Sequence, residues 1–418
     1  EIHDDLKISR PMNRLIQGDV GCGKTIVAIL VSSLAVGNNR QVAVMAPTEI
    51  LARQHYLSFK NEFDKVNIPC CLLVGKMKKK ERFAILKGLK EGKISVVVGT
   101  HALIQEDVQF NTLGLVIIDE QHRFGVNQRI KLQEKGDNPH LMSMTATPIP
   151  RTLSITYHGD MDLSIIDELP KNRIPVTTKV VDQAKIEKVY DFIKSKIVLG
   201  QQAIIVYPLV KESERSDLAA AIDAFESLSA IQFSKMKLGL VHGKMNPEEK
   251  EKVISQFNKN RINILISTTV VEVGLDVPNA TIMLVEHAER FGLTQLHQLR
   301  GRVGRGSEKS YCILVKRNHS NMSRTRLAIM ERTNDGFLIA DEDLKLRGPG
   351  EVFGQKQSGF FQYKIADIVK DGEIIREARE LAFELVKLDP TLSKLFNKDI
   401  KEIFAKKYSH NLGKLKLI

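Results

Sequence analysis

The sequence predicts an α/β protein built from two domains with parallel sheets, followed by a mainly helical C-terminal segment. Three observations predict it. β-Branched runs alternate with helical stretches from Pro11 to about Pro150; the alternation restarts near Gln202 and runs to Val315; beyond about Lys316 strand signals fade and charged, helical segments dominate. Short apolar runs separated by helix-length stretches read as parallel strands with crossover helices on both faces of a sheet. The expected divisions are residues 1–165, 166–318 and 319–418.

Taken in order, Glu1 to Arg10 reads as the end of a helix, and with glutamate rather than an initiator methionine in first place the chain is expected to be a fragment of a longer protein. Pro11 then punctuates the start of a strand. Expected strands of the first domain are Arg14 to Gln17, Val42 to Ala46, Cys71 to Val74, Ile94 to Gly99, Leu115 to Ile118 and Leu141 to Thr145, with helices over Ile50 to Phe63 and Lys78 to Glu91. Asp160 to Pro175 has two prolines, acidic residues and no strong periodicity, so the linker is expected there. Second-domain strands are expected at Gln202 to Tyr207, Leu238 to Val241, Ile262 to Ser267, Thr281 to Val285 and Ser310 to Val315, and a helix at Ile374 to Lys387. No repeat between the halves is obvious in the sequence, so any duplication is expected in structure only.

Composition narrows the function classes. The 418 residues are 43% apolar and 27% charged, ordinary values for a globular protein. A net charge of +12, with a pI near 9.3, favours a polyanionic partner such as nucleic acid or an anionic surface. No apolar run approaches the roughly 18 residues of a membrane span, and no signal peptide opens the chain, so no membrane association and a cytoplasmic location are expected. Cys22, Cys70, Cys71 and Cys312 offer neither a CxxC pair nor a secreted disulfide pattern, so they read as reduced, with no structural zinc.

The chemistry centres on Gly18-Asp19-Val20-Gly21-Cys22-Gly23-Lys24-Thr25, directly after the apolar Leu15-Ile16. It fits GxxxxGK(S/T), in which glycines let backbone N–H groups close around phosphate, the lysine reaches the β/γ-phosphates and the hydroxyl ligates Mg²⁺. The helix-compatible run Ile26 to Leu34 would aim a helix N-terminus at the same anion. A nucleoside triphosphate is therefore the expected ligand.

Leu115-Val-Ile-Ile-Asp119-Glu120 puts two carboxylates at the end of a buried strand, the edge where ligands bind in α/β sheets. Asp119 suits the Mg²⁺ shell and Glu120 the polarisation of an attacking water; a strand-terminal acidic turn is the plain alternative. Ser143-Met-Thr145-Ala-Thr147 follows the next strand, where its hydroxyls could exchange hydrogen bonds with the acidic pair; a Ser/Thr turn capped by proline reads equally from the residues. In Gln298-Leu-Arg-Gly-Arg302-Val-Gly-Arg305, glycines let guanidinium groups crowd together, which an anion would neutralise. Supplied to a nucleotide on the other domain, Arg302 and Arg305 would act as arginine fingers, worth roughly 10³ to 10⁵ in turnover in other NTPases. A solvated basic loop is the alternative. Lys76-Met-Lys-Lys-Lys80-Glu-Arg82 reads first as a solvated helix face and second as a duplex contact.

The ordered set of phosphate loop, Ala46-Pro-Thr-Glu-Ile-Leu-Ala-Arg53-Gln54-His55, Gly99-Thr100-His101, Asp119-Glu-Gln-His122, Thr145-Ala-Thr147, Ser267 to Asp276 and Gln298 to Arg305 resembles the superfamily 2 helicases over about residues 14–306. The resemblance implies two RecA-like domains with ATP and Mg²⁺ in the cleft between them and nucleic acid across both. It implies that Pro47, Thr48, Arg53, Gly99, Thr100, His242, Gly243, Thr268 and Thr269 lie near the nucleic acid backbone, that Gly274 and Asp276 couple the ATP site to that surface, that Gln298 belongs to the catalytic set, and that His122 links the acidic motif to nucleic acid movement.

Asn334-Asp335-Gly336-Phe337 to Gln357-Ser-Gly359 is similar to the translocation motif shared by the RecG family and the transcription-repair coupling translocase Mfd, and Asp119-Glu-Gln-His122, Arg347-Gly-Pro-Gly and Gln357-Ser-Gly together favour RecG. The resemblance implies a helical hairpin and loop that turn closure of the ATP cleft into a stroke along duplex DNA, with Arg326, Arg347 and Gln357 as coupling residues; for Arg326 a basic helix packed on the second domain is the alternative. Duplex DNA, branched or fork DNA in a full-length protein, is the implied partner, with single-stranded DNA-binding protein a further candidate and a monomer the implied state. Branch migration and fork regression are the implied activity. Two departures stand: the N-terminal wedge that confers fork specificity in that family, and the adenine-reading glutamine motif, lie outside these residues. Cys22 stands where the family often has serine, in a loop that binds through its backbone. An Mfd-type motor, and a DNA-binding scaffold with a vestigial ATPase, are the rival readings.

Overall fold

The apolar runs fold as parallel strands. A computed structural model describes every residue except 9, 149–160, 171–172, 209–213, 269–276, 318–320, 348–365, 367–370 and 409–418. Two compact units divide the chain: residues 1–150 with 158–346, and residues 151–157 with 347–418.

The first unit holds both sheets. Strands β1 (Asn13–Gly18), β2 (Gln41–Met45), β3 (Cys70–Leu73), β4 (Val96–Gly99), β5 (Leu113–Asp119), β6 (His140–Thr145) and β7 (Asp162–Ile166) form one sheet in the order β3-β4-β2-β5-β6-β1-β7. Strands β8 (Thr177–Asp182), β9 (Gln202–Val206), β10 (Leu238–Val241), β11 (Ile264–Ser267), β12 (Ala280–Val285) and β13 (Tyr311–Lys316) form the other, ordered β10-β11-β9-β12-β13-β8. Every pairing is parallel. Alternate residues of each strand feed two cores. Ile16, Val42, Val44 and Ile117 face one side of the first sheet and Leu15, Ala43, Val116 and Ile118 the other. Helices α2 (Lys24–Gly37), α3 (Glu49–Phe63), α4 (Lys79–Lys90) and α5 (Val126–Gln133), after the short α1 (Ile2–Asp5), cover this sheet; α6 (Ile186–Val198), α7 (Glu214–Ser227), α8 (Pro247–Asn258) and α9 (Leu293–Arg300) cover the second. Burial on both faces is why these strands read as unbroken apolar runs.

The segment expected as a linker corrects that expectation. Residues 162–166 form β7, paired with β1 from Arg14↔Asp162 to Gly18↔Ile166, and β8 begins at Thr177. Both are half-buried edge strands without a continuous apolar run, so their sequence carries little signal. Of the segment expected from residue 319 onward, α10 (Asn321–Arg332) and α11 (Gly336–Arg347) pack against the second sheet, burying Leu327, Ile329, Met330 and Ile339 beside Val285 and Leu296.

A repeat is also present in the sequence after all. Gln41 opens β2 and donates to the carbonyls of Leu89 and Ile94; Gln202 opens β9 and donates to those of Phe257 and Ile262. After β5 and β12, Glu120 and His287 both take φ of 49°, a short 3-10 turn follows, and an eight-residue helix starts from a glycine. The residues building that corner are Arg123-Phe124-Gly125-Val126-Asn127-Gln128 and Arg290-Phe291-Gly292-Leu293-Thr294-Gln295. In each, the glutamine accepts the glycine's backbone N–H at 3.1 Å. Four identities in six positions are easily passed over in halves this diverged, yet the backbone corner accounts for their persistence.

In the second unit, α12 (Gly372–Leu388) and α13 (Lys398–Tyr408) flank a turn organised by Asp389. Its buried carboxylate accepts from the Asn397 amide at 2.8 Å and from the N–H groups of Ser393 and Lys394 at 2.9 Å.

Candidate active site and nucleic-acid interface

The carboxyl ends of the adjacent strands β5, β6 and β1 bring three motifs to one edge. From Gly18 the chain turns through residues 19–23 into α2, with left-handed backbone at Gly21 (φ 78°) and Gly23 (φ 105°), a conformation that side chains disfavour. At Gly18 the constraint is space, since a Cβ would stand 2.5 Å from Cys22 Sγ. Lys24 and Thr25 open α2, and the Lys24 ammonium donates to the carbonyls of Gly18 and Asp19, each at 2.8 Å.

Asp119, buried at the end of β5, accepts from the Glu120 N–H at 3.0 Å and meets His55 Nε2 of α3 at 2.7 Å. Burial opposes its ionisation, but His55, the Lys24 charge and the Glu120 N–H prevail and hold its carboxyl below the usual range. Glu120 behaves oppositely: burial and the neighbouring Asp119 charge raise its pKa. Two adjacent carboxylates are thereby driven apart, the pattern that separates an ionised ligand from a proton acceptor. Glu120 Oε2 accepts from the Ala146 N–H at 3.3 Å and the Thr145 hydroxyl at 3.4 Å, and lies 3.6 Å from His122 Nδ1.

The second domain reaches the same edge through α9. Gln298 Nε2 donates to Thr147 Oγ1 at 2.8 Å, and His297 Nε2 meets Asp19 Oδ1 at 2.6 Å. Gly301 ends α9 so close to the phosphate loop that a Cβ would lie 2.7 Å from that of Val20. Arg302 follows, buried, and its charge acts on Glu120. Arg305 Nε donates to the Gly301 carbonyl at 3.3 Å. From the expected linker, Arg173 donates to the Val20 carbonyl.

Sequence reasoning gave no role to His55, Asp19's partner His297, or Arg173. His55 closes the Ala46 to His55 motif, but only the fold shows that its helix faces β5. Nothing in the sequence around Arg173 points to the phosphate loop.

Of the described residues expected at nucleic acid, most lie at the strand ends of both sheets. Pro47 joins β2 to α3, whose N-cap is Thr48. Gly99 ends β4 and Ser267 ends β11, so Thr100 and Thr268 hold equivalent positions; both hydroxyls are buried without a hydrogen-bond partner. His242 and Gly243 follow β10. Arg53 reaches toward Glu251, 3.6 Å away on α8, and Lys76 toward Glu248 at 3.4 Å, while Arg82 forks onto Asp107. Arg326 on α10 donates to the Phe291 carbonyl at 2.6 Å. Arg347 ends α11. Thr269, Gly274, Asp276 and Gln357 lie outside the described residues.

Comparison with known proteins follows this layout. The DEAD/DEAH box helicase family matches residues 6–155, the helicase conserved C-terminal domain 184–307, and the C-terminal part of domain 3 of the ATP-dependent DNA helicase RecG residues 333–408. An ATP-dependent DNA helicase RecG from Synechocystis is 49% identical over 413 residues, 99% of this chain and 50% of that protein. One from Escherichia coli is 47% identical over 388 residues, 91% of this chain and 56% of that protein. A solved structure of RecG bound to a three-way DNA junction superposes with a TM-score of 0.75 at 46% identity, covering 90% of this chain and 49% of that one. The chain belongs to the RecG family. It spans about half the length of the RecG proteins it matches. Beyond RecG, Saccharomyces cerevisiae Dbp5 bound to RNA and ADP BeF3, 17% identical with a TM-score of 0.57 over 90% of each chain, shares the fold of the paired domains. Among the described residues no helix is long and apolar enough to cross a membrane.

Proposed function

We propose that this chain is the motor of a RecG-type ATP-dependent DNA helicase, a double-stranded DNA translocase that in the whole protein drives branch migration and fork regression in repair and recombination. The observation that carries the reading is the junction of α9 with the phosphate loop, where His297, Gln298 and Arg302 of one domain meet Asp19, Thr147 and Glu120 of the other.

The residues fit a magnesium nucleotide. Thr25 and Asp119 are hard oxygen ligands, Asp119 is kept ionised, and glycine-freed N–H groups stand at a helix N-terminus. No group of three or more His, Cys, Asp or Glu among the described residues is placed to hold a metal. Mg²⁺ suits such a site, since it takes one or two carboxylates and completes its shell with phosphate oxygens and water. The bound nucleotide supplies the phosphoanhydride bond. Lys24 and the loop N–H groups would hold its negative charge, Asp119 and Thr25 would hold the metal, Glu120 would take the proton of the attacking water, and Arg302 and Arg305 would stabilise the charge that develops. The partnerless hydroxyls of Thr100 and Thr268 support their place at a phosphate backbone, which offers acceptors to both.

The match at residues 333–408 favours RecG over Mfd, and the intact Lys24, Asp119, Glu120, Arg302 and Arg305 speak against a vestigial ATPase. A monomer in the cytoplasm, with single-stranded DNA-binding protein as an accessory partner, completes the reading. It is tested by displacement of a third strand from duplex DNA: ATP-dependent displacement supports it, and ATP hydrolysis without displacement would sink it.

A further inference from the structure

The phosphate loop is wired to the helical hairpin through one histidine. His297 is buried on α9, with Nε2 2.6 Å from Asp19 Oδ1 and Nδ1 2.9 Å from Arg300 Nη2. Arginine has no acceptor, so Nδ1 must accept and Nε2–H must donate to Asp19. Arg300, also buried, uses its other arm on the carbonyls of Met330 at 3.0 Å and Thr333 at 2.9 Å, where α10 ends. Two residues on, Asp335 accepts the N–H groups of Phe337 and Leu338 at 2.8 and 3.3 Å and so starts α11. Gly336, the first residue of that helix, presses on the same imidazole: a Cβ there would lie 2.6 Å from His297 Nε2. The other end of α9 is tied to α10 as well, by Arg326 on the Phe291 carbonyl.

We propose that His297 is a positioning residue that transmits phosphate-loop geometry, by way of Asp19 and Arg300, to the corner where α10 meets α11. The inference rests on the motor reading above and names a route within it. Each member of the relay is fixed on both sides. Displacing Asp19 therefore either strands a buried guanidinium, which is costly, or moves the corner with it. α11, whose 12 residues span about 18 Å, then carries movement of the corner along its length.

The test compares wild type with His297→Ala, His297→Gln and Arg300→Lys in two measurements. The first is duplex-stimulated ATP hydrolysis against triplex displacement. His297→Ala and Arg300→Lys are expected to lower displacement per ATP hydrolysed by about tenfold, a larger effect than on hydrolysis itself and inside the usual range of coupling between sites. A double variant carrying His297→Ala and Arg300→Lys is expected to be no worse than either single one, as for members of one unit. His297→Gln, which keeps a donor and an acceptor, is expected to recover most of the coupling. The second is hydrogen exchange at the Phe337 and Leu338 amides with and without AMP-PNP, expected to respond to the nucleotide in wild type and not in His297→Ala. An unchanged response in His297→Ala, or equal loss of hydrolysis and displacement in Ala and Gln variants alike, overturns the relay. A wild type whose exchange responds to AMP-PNP but which shows no DNA-stimulated hydrolysis leaves the relay standing and overturns the motor reading instead.

Discussion

Asp119 and Glu120 are neighbours in sequence with opposite tasks, and the side chain that separates them is His55, 2.7 Å from one and bonded to neither oxygen of the other. Removing it leaves a buried carboxylate whose charge is no longer supported. His55→Ala is expected to raise the Mg²⁺ concentration needed for half-maximal hydrolysis by about 10–100-fold, the usual cost of losing a partner behind a metal ligand; a metal titration of ATPase activity checks it. Glu120→Gln is expected to bind ATP normally while hydrolysis falls by about 10² to 10⁴, the range for a lost general base. Loss of nucleotide affinity in that variant would contradict the role. Because burial and Asp119 raise the Glu120 pKa, the acid limb of kcat/KM is expected above the ordinary glutamate value of about 4.3, activity falling as pH drops through it. The phosphate loop and both carboxylates were legible because their chemistry fixes residue types at short spacing. His55 and His297 were not, because each acts across a long sequence gap that only folding closes.

At the scale of elements, what could be read depended on burial. Strands β2, β4, β9 and β12, buried throughout, announced themselves as apolar runs, whereas β7 and β8 lie at sheet edges and share the composition of loops. The repeated Arg-Phe-Gly corner shows the converse. One backbone solution serves both domains, but the first sets Asp119 there and the second sets Glu286, which is fully buried and paired with Arg317 at 3.0 Å. Fold is duplicated and chemistry is not, which hid the repeat. In the second unit the Asp389 carboxyl is held at about 2, first by the Asn397 amide, with burial opposing and the N–H groups of Lys394 and Ser393 assisting. A depressed carboxyl pKa stabilises the fold above the unfolded value of about 3.9 and ceases to do so as pH falls toward 2. Asp389→Asn is thus expected to unfold at lower temperature than wild type at pH 7, with the difference closing between pH 4 and pH 2 in thermal melts.

Across the whole molecule, the phosphate-loop edge is joined to a hairpin that ends at Arg347, before the residues expected to form a loop at DNA. If that loop converts cleft closure into movement, Arg347→Ala should retain duplex-stimulated hydrolysis within about twofold while triplex displacement per ATP falls about tenfold or more, a loss of coupling rather than of chemistry. Normal displacement by that variant would remove Arg347 from the transmission. The central claim, that these 418 residues form a duplex DNA motor, is tested most directly by phosphate release from ATP at one fixed salt concentration with no DNA, single-stranded DNA, linear duplex and a model fork, since phosphate contacts make binding steeply salt-dependent. The account predicts strong stimulation by linear duplex, equalled by the fork and abolished in Glu120→Gln. No stimulation by duplex, or stimulation by the fork alone, would contradict it.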